Sequence, residues 1–255
     1  MRNLETQQLN TLIVGASGGI GGAFVRQLLA DNSIATVCAT YRRRESASTL
    51  LTLENQYPDK LTCFPLDTTQ EEQIVEVVQK LSASIEKLHL VINCVGILHE
   101  GELQPEKSLR QLNAEHLLRY FQVNSIGTAL LAKHLLPLLR HGDRSIFAAI
   151  SAKIGSIGDN RLGGWYGYRA SKAALNMLLR TIAIEYRRKT PRTIVTALHP
   201  GTTDTQLSEP FQKNVPAEKL FSVERCATQL LAVIDGLEEN QSGQFFSWDG
   251  QPLPW

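Results

Sequence analysis

Residues 11–31 read TLIVGASGGIGGAFVRQLLAD. A short β-rich apolar run leads straight into a glycine-rich turn, and an apolar pattern of helical spacing follows it. Gly15, Gly19 and Gly21 stand at a G-x-x-x-G-x-G spacing. Glycine lets the chain turn with positive φ and lets a pyrophosphate approach the backbone N–H groups of a helix N-terminus. A tight strand–helix turn with no ligand would use the same residues. The wider pattern favours the ligand.

Working outward, short apolar runs recur at 35–41 (ATVCATY), 61–66 (LTCFPL), 88–96 (LHLVINCVG), 144–151 (RSIFAAIS) and 192–201 (RTIVTALHPG), with a last one near GQFFSW at 243–248. They are almost continuously apolar, which suits strands covered on both faces. Between them, 21–31, 71–85, 124–140 and 170–188 carry apolar residues at helical spacing, and a final helix is expected at about 223–237. This alternation predicts one α/β domain over 1–255, a doubly wound parallel sheet of about seven strands with helices on both faces. The longest irregular stretch is 202–222, TTDTQLSEPFQKNVPAEKLFS. A loop of that length reads as a substrate lid.

Composition excludes other classes. The chain is 43% hydrophobic and 20% charged with a formal net charge of +1, which suits a globular domain and argues against nucleic acid as a partner. Cys38, Cys63, Cys94 and Cys226 are far apart, and the six histidines lack ligand spacing, so no metal site is expected. The cysteines read as small hydrophobes in a reducing compartment. MRNLETQQLN at the start has no apolar core, and no stretch approaches the ~20 apolar residues that span a membrane. A cytoplasmic protein without a membrane partner is the expectation.

Folds that bind NAD usually place an acid about 20 residues beyond the glycine loop, on the ribose 2′-hydroxyl. Here that count falls on Tyr41, and Arg42, Arg43 and Arg44 follow. A solvated basic turn would look alike for some of these arginines. A cation where the acid would stand favours NADP(H), with NAD(H) possible, and Arg42 leaves the strand first. Asp67 ends the third strand, either to meet an adenine amino group or to cap the next helix. Asn93 and Gly96 end the fourth, at the carboxyl edge where such sheets bind ligands.

Taken together, GASGGIG at 15–21, Asp67, NCVG at 93–96, Asn124 in VNSIG, Ser151, Tyr168-x-x-x-Lys172 and HPG at 199–201 resemble the short-chain dehydrogenase/reductase superfamily over nearly the whole chain. SAKIGSIGDNRLGGWYGYRASKAALNM and HPGTTDTQL are similar to its C-factor and Sniffer-like carbonyl reductase branch. Two features depart from the usual pattern: Cys94-Val95 inside the fourth-strand motif, and a longer gap between Ser151 and Tyr168.

The resemblance implies a Rossmann fold and NADP(H)-dependent interconversion of a carbonyl and an alcohol. A cofactor-binding signalling protein of the C-factor type is the alternative. It implies a catalytic set of Asn124, Ser151, Tyr168 and Lys172. Cofactor contacts would come from Gly15, Ser17, Gly19, Ile20, Gly21, Tyr41, Arg42, Asp67, Asn93, Gly96, Tyr168, Lys172, Pro200, Gly201, Thr202 and Thr203. Hydride addition to a carbonyl leaves an alkoxide that needs a proton. Tyrosine can give it, but its ordinary pKa of ~10 calls for help from a nearby ammonium. In the family the lysine also binds the nicotinamide ribose, the serine holds the substrate oxygen, and the asparagine bends a helix and holds a relay water. A helix cap at Asn124 and a turn hydroxyl at Ser151 are the plainer readings.

Residues four apart lie within roughly 40° on a helix. Tyr168 therefore shares a face with Lys172, and Tyr166 does not; Tyr166 is expected ahead of the helix. His199 reads as strand-end structure. Leu98, Trp165 and Phe211 are expected to line an apolar pocket for a small carbonyl or alcohol. The resemblance also implies a homodimer or homotetramer through the two long central helices, although a stripe facing the core would carry the same small and apolar residues.

Overall fold

A computed structural model describes residues 8–255. Most of the stretch read as lacking a signal peptide, residues 1–7, lies outside the described residues. The elements run β1 (Leu9–Val14), α1 (Gly19–Ala30), β2 (Ile34–Tyr41), α2 (Ser48–Gln56), β3 (Leu61–Pro65), α3 (Glu71–Ser84), β4 (Leu90–Asn93) and α4 (Ala114–Phe121). They continue with α5 (Gly127–Leu139), β5 (Ser145–Ile150), α6 (Tyr166–Lys189), β6 (Thr193–His199), β7 (Thr202–Thr203), β8 (Leu220–Phe221), α7 (Val223–Gly236) and β9 (Gln244–Ser247).

Seven strands form one sheet in the order β3-β2-β1-β4-β5-β6-β9, every neighbouring pair parallel. The expected doubly wound Rossmann sheet is what the chain builds. β4 and β5 are buried along their whole length because both faces are covered. On one face Phe24, Leu28, Leu230 and Ile234 of α1 and α7 pack on Ile13, Ile92 and Leu198. On the other, Ile74, Leu131, Leu135 and Leu179 of α3, α5 and α6 pack on Leu12, Val91 and Phe147. Each such side chain contributes about 1.5–3 kcal/mol by leaving water.

Chain direction across the sheet reverses between β1 and β4. Their carboxyl ends therefore open a crevice, the usual ligand position in such sheets. Among the described residues no helix is long and apolar enough to cross a membrane.

Several local features differ from the sequence reading. Helices α2 and α4 were not anticipated: they are short, nine and eight residues, and each buries a single residue, Leu50 and Tyr120. Asn113 starts α4, its side chain accepting from Glu115 N and His116 N. The helix expected from residue 124 is continuous with α4 through a π-helical turn at Gln122–Ile126. Helix α6 begins at Tyr166, so Tyr166 is its first residue instead of lying ahead of it. Residues 202–222 hold β7, β8 and two 3-10 turns, and 94–113 form a second long loop that the sequence reading passed over.

Candidate active site

The phosphate end is backbone. A Cβ on Gly21 would run into the carbonyl oxygen of Gly15, so only glycine lets the turn fold this tightly. Gly18 begins α1 in extended conformation with no side-chain cap, which leaves the helix N-terminus to an anion. Ser17, Gly19 and Ile20 are partly or fully exposed around it. A cleft of about 200 Å³ runs along the carboxyl edge past Gly15, Ser17, Arg42, Asp67, Val95 and Gly96. A Cβ on Gly96 would stand 3.3 Å from Lys172 Nζ and 3.4 Å from Asn124 Oδ1, so this residue keeps a slot open between them. The uncapped helix end and the open slot fit a dinucleotide.

Two of the expected cofactor residues, Tyr41 and Asn93, have side chains engaged within the fold. Tyr41 is buried in the core under the first sheet face, its side chain directed away from solvent. Asn93 Nδ2 donates to Thr128 Oγ1 at 2.8 Å, and its Oδ1 accepts from Val95 N, which shapes the turn into Gly96. Asp67 does line the cleft. Its Oδ1 accepts from Thr69 N and Thr69 Oγ1, and Gln70, not Asp67, is the N-cap of α3. Partial burial opposes ionisation of Asp67, but the Thr69 bonds and the charges of Arg42 and Arg119 hold its pKa below the ordinary value. Arg42 also lines the cleft, with Glu100 bound to it.

At the other end Asn124, Ser151, Tyr168 and Lys172 are all buried, and Lys172 Nζ and Asn124 Oδ1 are the groups beside Gly96. Asn124 Oδ1 accepts from Ile97 N at 2.7 Å, and Nδ2 donates to Ile97 O and Ser171 Oγ, so its amide pins the loop after β4. Ser151 follows the last residue of β5 and donates to Asn176 Oδ1 at 2.6 Å. Lys172 Nζ donates to Ile150 O at 2.9 Å and lies 5.9 Å from the Tyr168 ring centroid.

The ionisation of this pair differs from the sequence expectation. Where a lowered phenol pKa was expected, burial pushes Tyr168 well above its usual value, and the Lys172 ammonium donates to Ile150 O. Burial likewise drives Lys172 down from 10.5 to about 8. His199 falls to about 4, again by burial, and its Nδ1 accepts from Lys153 N, as strand-end structure would have it.

Leu98 and Tyr168 share an apolar cluster with Tyr120, against which Trp165 and Phe211 pack. Phe211 meets Trp165 edge-on at 4.8 Å between centroids. Pro200 and Gly201 link β6 to β7, in which Thr203 Oγ1 donates to Pro200 O and Thr202 stays exposed.

Two supports escaped the sequence reading. Glu106 is buried, its carbonyl accepting from Trp165 N and its Oε2 from Gly167 N, so it anchors the first turn of α6 where Trp165 adopts φ 51°. A lone acid in a loop gives no periodic signal. Asn176 did leave one: it follows Lys172 by four residues and therefore shares its helix face.

Residues 10–216 match the short chain dehydrogenase family. C-signal of Myxococcus xanthus is 35% identical over 149 residues, 58% of this chain and 84% of that protein. The NADPH-bound carbonyl reductase from chicken fatty liver superposes with a TM-score of 0.87 at 28% identity, over 98% of this chain and 95% of that one. The carbonyl reductase Sniffer of D. melanogaster gives 0.86 at 25% identity, over 98% and 100%. With that likeness and the crevice geometry above, the chain belongs to the short-chain dehydrogenase/reductase family of oxidoreductases, in the branch of the Sniffer-like carbonyl reductases and C-signal.

Proposed function

We propose that this protein interconverts an apolar aldehyde or ketone and its alcohol with NADP(H), Tyr168 exchanging the proton. The observation that carries the reading is that Lys172 Nζ and Asn124 Oδ1 line the slot at Gly96, with Lys172 bonded to Ile150 next to Ser151 and 5.9 Å from the Tyr168 ring centroid, all four side chains being buried. The bound nicotinamide would supply or accept the hydride. Gly15, Ser17, Gly19, Ile20 and Gly21 would hold the phosphates, Asp67 the adenine, and Arg42 a 2′-phosphate. Pro200, Gly201, Thr202 and Thr203 would hold the nicotinamide end.

Ser151 would orient the substrate oxygen and Tyr168 Oη would hand it a proton. Burial keeps Tyr168 a neutral phenol at ordinary pH, which is the loaded state for reduction. Lys172 would hold ribose hydroxyls, and its charge would steady the phenolate left behind. Trp165 and Phe211 would exclude water, with 202–222 as the lid of one catalytic unit spanning the chain. NADPH in the chicken carbonyl reductase supports the cofactor choice. Exposed Leu118, Ile126, Met177 and Ile184 on α4 to α6 support a homodimer or homotetramer, which sedimentation tests. The four cysteines are all free thiols, which suits a reducing cytoplasm.

Oxidation of NADPH with a panel of ketones and aldehydes tests the reading. Tyr168→Phe is expected to lose ~10²–10⁴-fold in turnover while still binding NADPH, and Tyr166→Phe to stay near wild type. NADPH binding without turnover by the wild type would leave the signalling alternative standing.

A further inference from the structure

Arg42 is already engaged across the cleft. Its Nη2 donates to Glu100 Oε1 at 2.9 Å, while Arg119 Nε and Nη2 donate to Glu100 Oε2 at 3.0 and 2.8 Å. Glu100 belongs to the loop after β4, where a bridge to Leu103 steadies it. The ion pair thus joins the end of β2 to a loop on the opposite side of the cleft that Arg42 and Asp67 line.

Two guanidiniums, Arg42 and Arg119, face two carboxylates, Glu100 and Asp67, before any ligand arrives. Both carboxyls are held below their ordinary pKa against partial burial, Glu100 by hydrogen bonds from both arginines. The cations are therefore balanced. A guanidinium carries five donors, of which Glu100 takes one from Arg42, so Arg42 has donors left for a phosphate.

We infer that Glu100 is a specificity-determining residue that holds Arg42 at the ribose rim and, through its own charge, weakens the grip on a 2′-phosphate. The inference rests on the NADP(H) reading above. A carboxylate behind the guanidinium repels a phosphate in front of it. At a half-exposed site this costs on the order of 3–10-fold in affinity and fades as salt rises.

Fluorescence titration with NADPH and with NADH, at low and high salt, tests this on wild type, Glu100→Gln and Glu100→Ala. Glutamine keeps an acceptor for both arginines and drops the charge. Glu100→Gln is expected to tighten NADPH binding ~3–10-fold at low salt, with NADH moving less than about twofold. Glu100→Ala, which unties Arg42, is expected to gain less than Glu100→Gln. NADPH binding unchanged or weakened in Glu100→Gln overturns the inference. So does a loss confined to NADH, which would place Glu100 on a ribose hydroxyl. An equal gain in Glu100→Ala would refute the holding role. A wild type that binds neither dinucleotide would instead bring down the function reading, and this inference with it.

Discussion

At one end of the cleft Asn124, Ser151, Tyr168 and Lys172 are buried, and Asn124, Ser151 and Lys172 are each hydrogen-bonded to a fixed neighbour. At the other end Arg42 and Glu100 are about one-third exposed and face each other as ions. Burial fixes geometry but carries a stability cost, since Lys172, 3% exposed, has a carbonyl and no carboxylate as its hydrogen-bond partner. Exposed ions carry little such cost, and their pull is weak and screened, so salt reaches this end as it cannot reach the other. Under the proposed function, the buried end would decide whether reaction occurs and the exposed end which cofactor is held.

The largest break should come from Lys172→Met, with turnover expected to drop ~10²–10⁴-fold. The fold should gain, because the folded pKa of Lys172 is about 8 against an ordinary 10.5. Its charge therefore disfavours folding below about pH 8, and the penalty fades as pH rises toward 10.5. Wild-type thermal stability should climb across that window, and the methionine variant should be ~1–3 kcal/mol more stable at pH 7 without that climb. Equal pH slopes in the two proteins would contradict the assignment.

At the exposed end Arg42→Ala should weaken NADPH binding ~10–100-fold and NADH far less, with the difference shrinking as salt is added. Parallel losses for both cofactors would remove the 2′-phosphate role.

The smallest effect sharpens the buried end. Asn176→Ala unties the Ser151 hydroxyl and should lower kcat ~10-fold with KM little changed. Combined with Ser151→Ala it should add almost nothing, because both act through one hydroxyl. Additive losses would show that Asn176 does not work through Ser151. Asn176 Nδ2 is itself buried without a hydrogen-bond partner among the described residues, so alanine removes an uncompensated donor as well.

Most of the fold was readable because parallel strands buried on both faces write themselves as apolar runs, as in IFAAI of β5. The shared face of Tyr168 and Lys172 was readable because a helix brings residues four apart together and turns Tyr166 elsewhere. Helices α2 and α4 were not, since at nine and eight residues each is too short for its spacing to stand out from the loops around it. Tyr41 was misplaced because counting along the chain cannot tell a strand-end side chain that enters the core from one that enters the cleft.

Local order along the chain thus dictated the alternating elements, the glycine turn and the spacing of the reacting pair, because backbone sterics and side-chain periodicity act over a few residues. Packing between distant segments settled the rest. Glu106 meets Gly167, Ser151 meets Asn176, and Glu100 meets Arg42 only once the sheet has brought their loops together. The ionisation of Tyr168 and Lys172 follows from that enclosure, since desolvation depends on everything that surrounds a group and not on its neighbours in the chain.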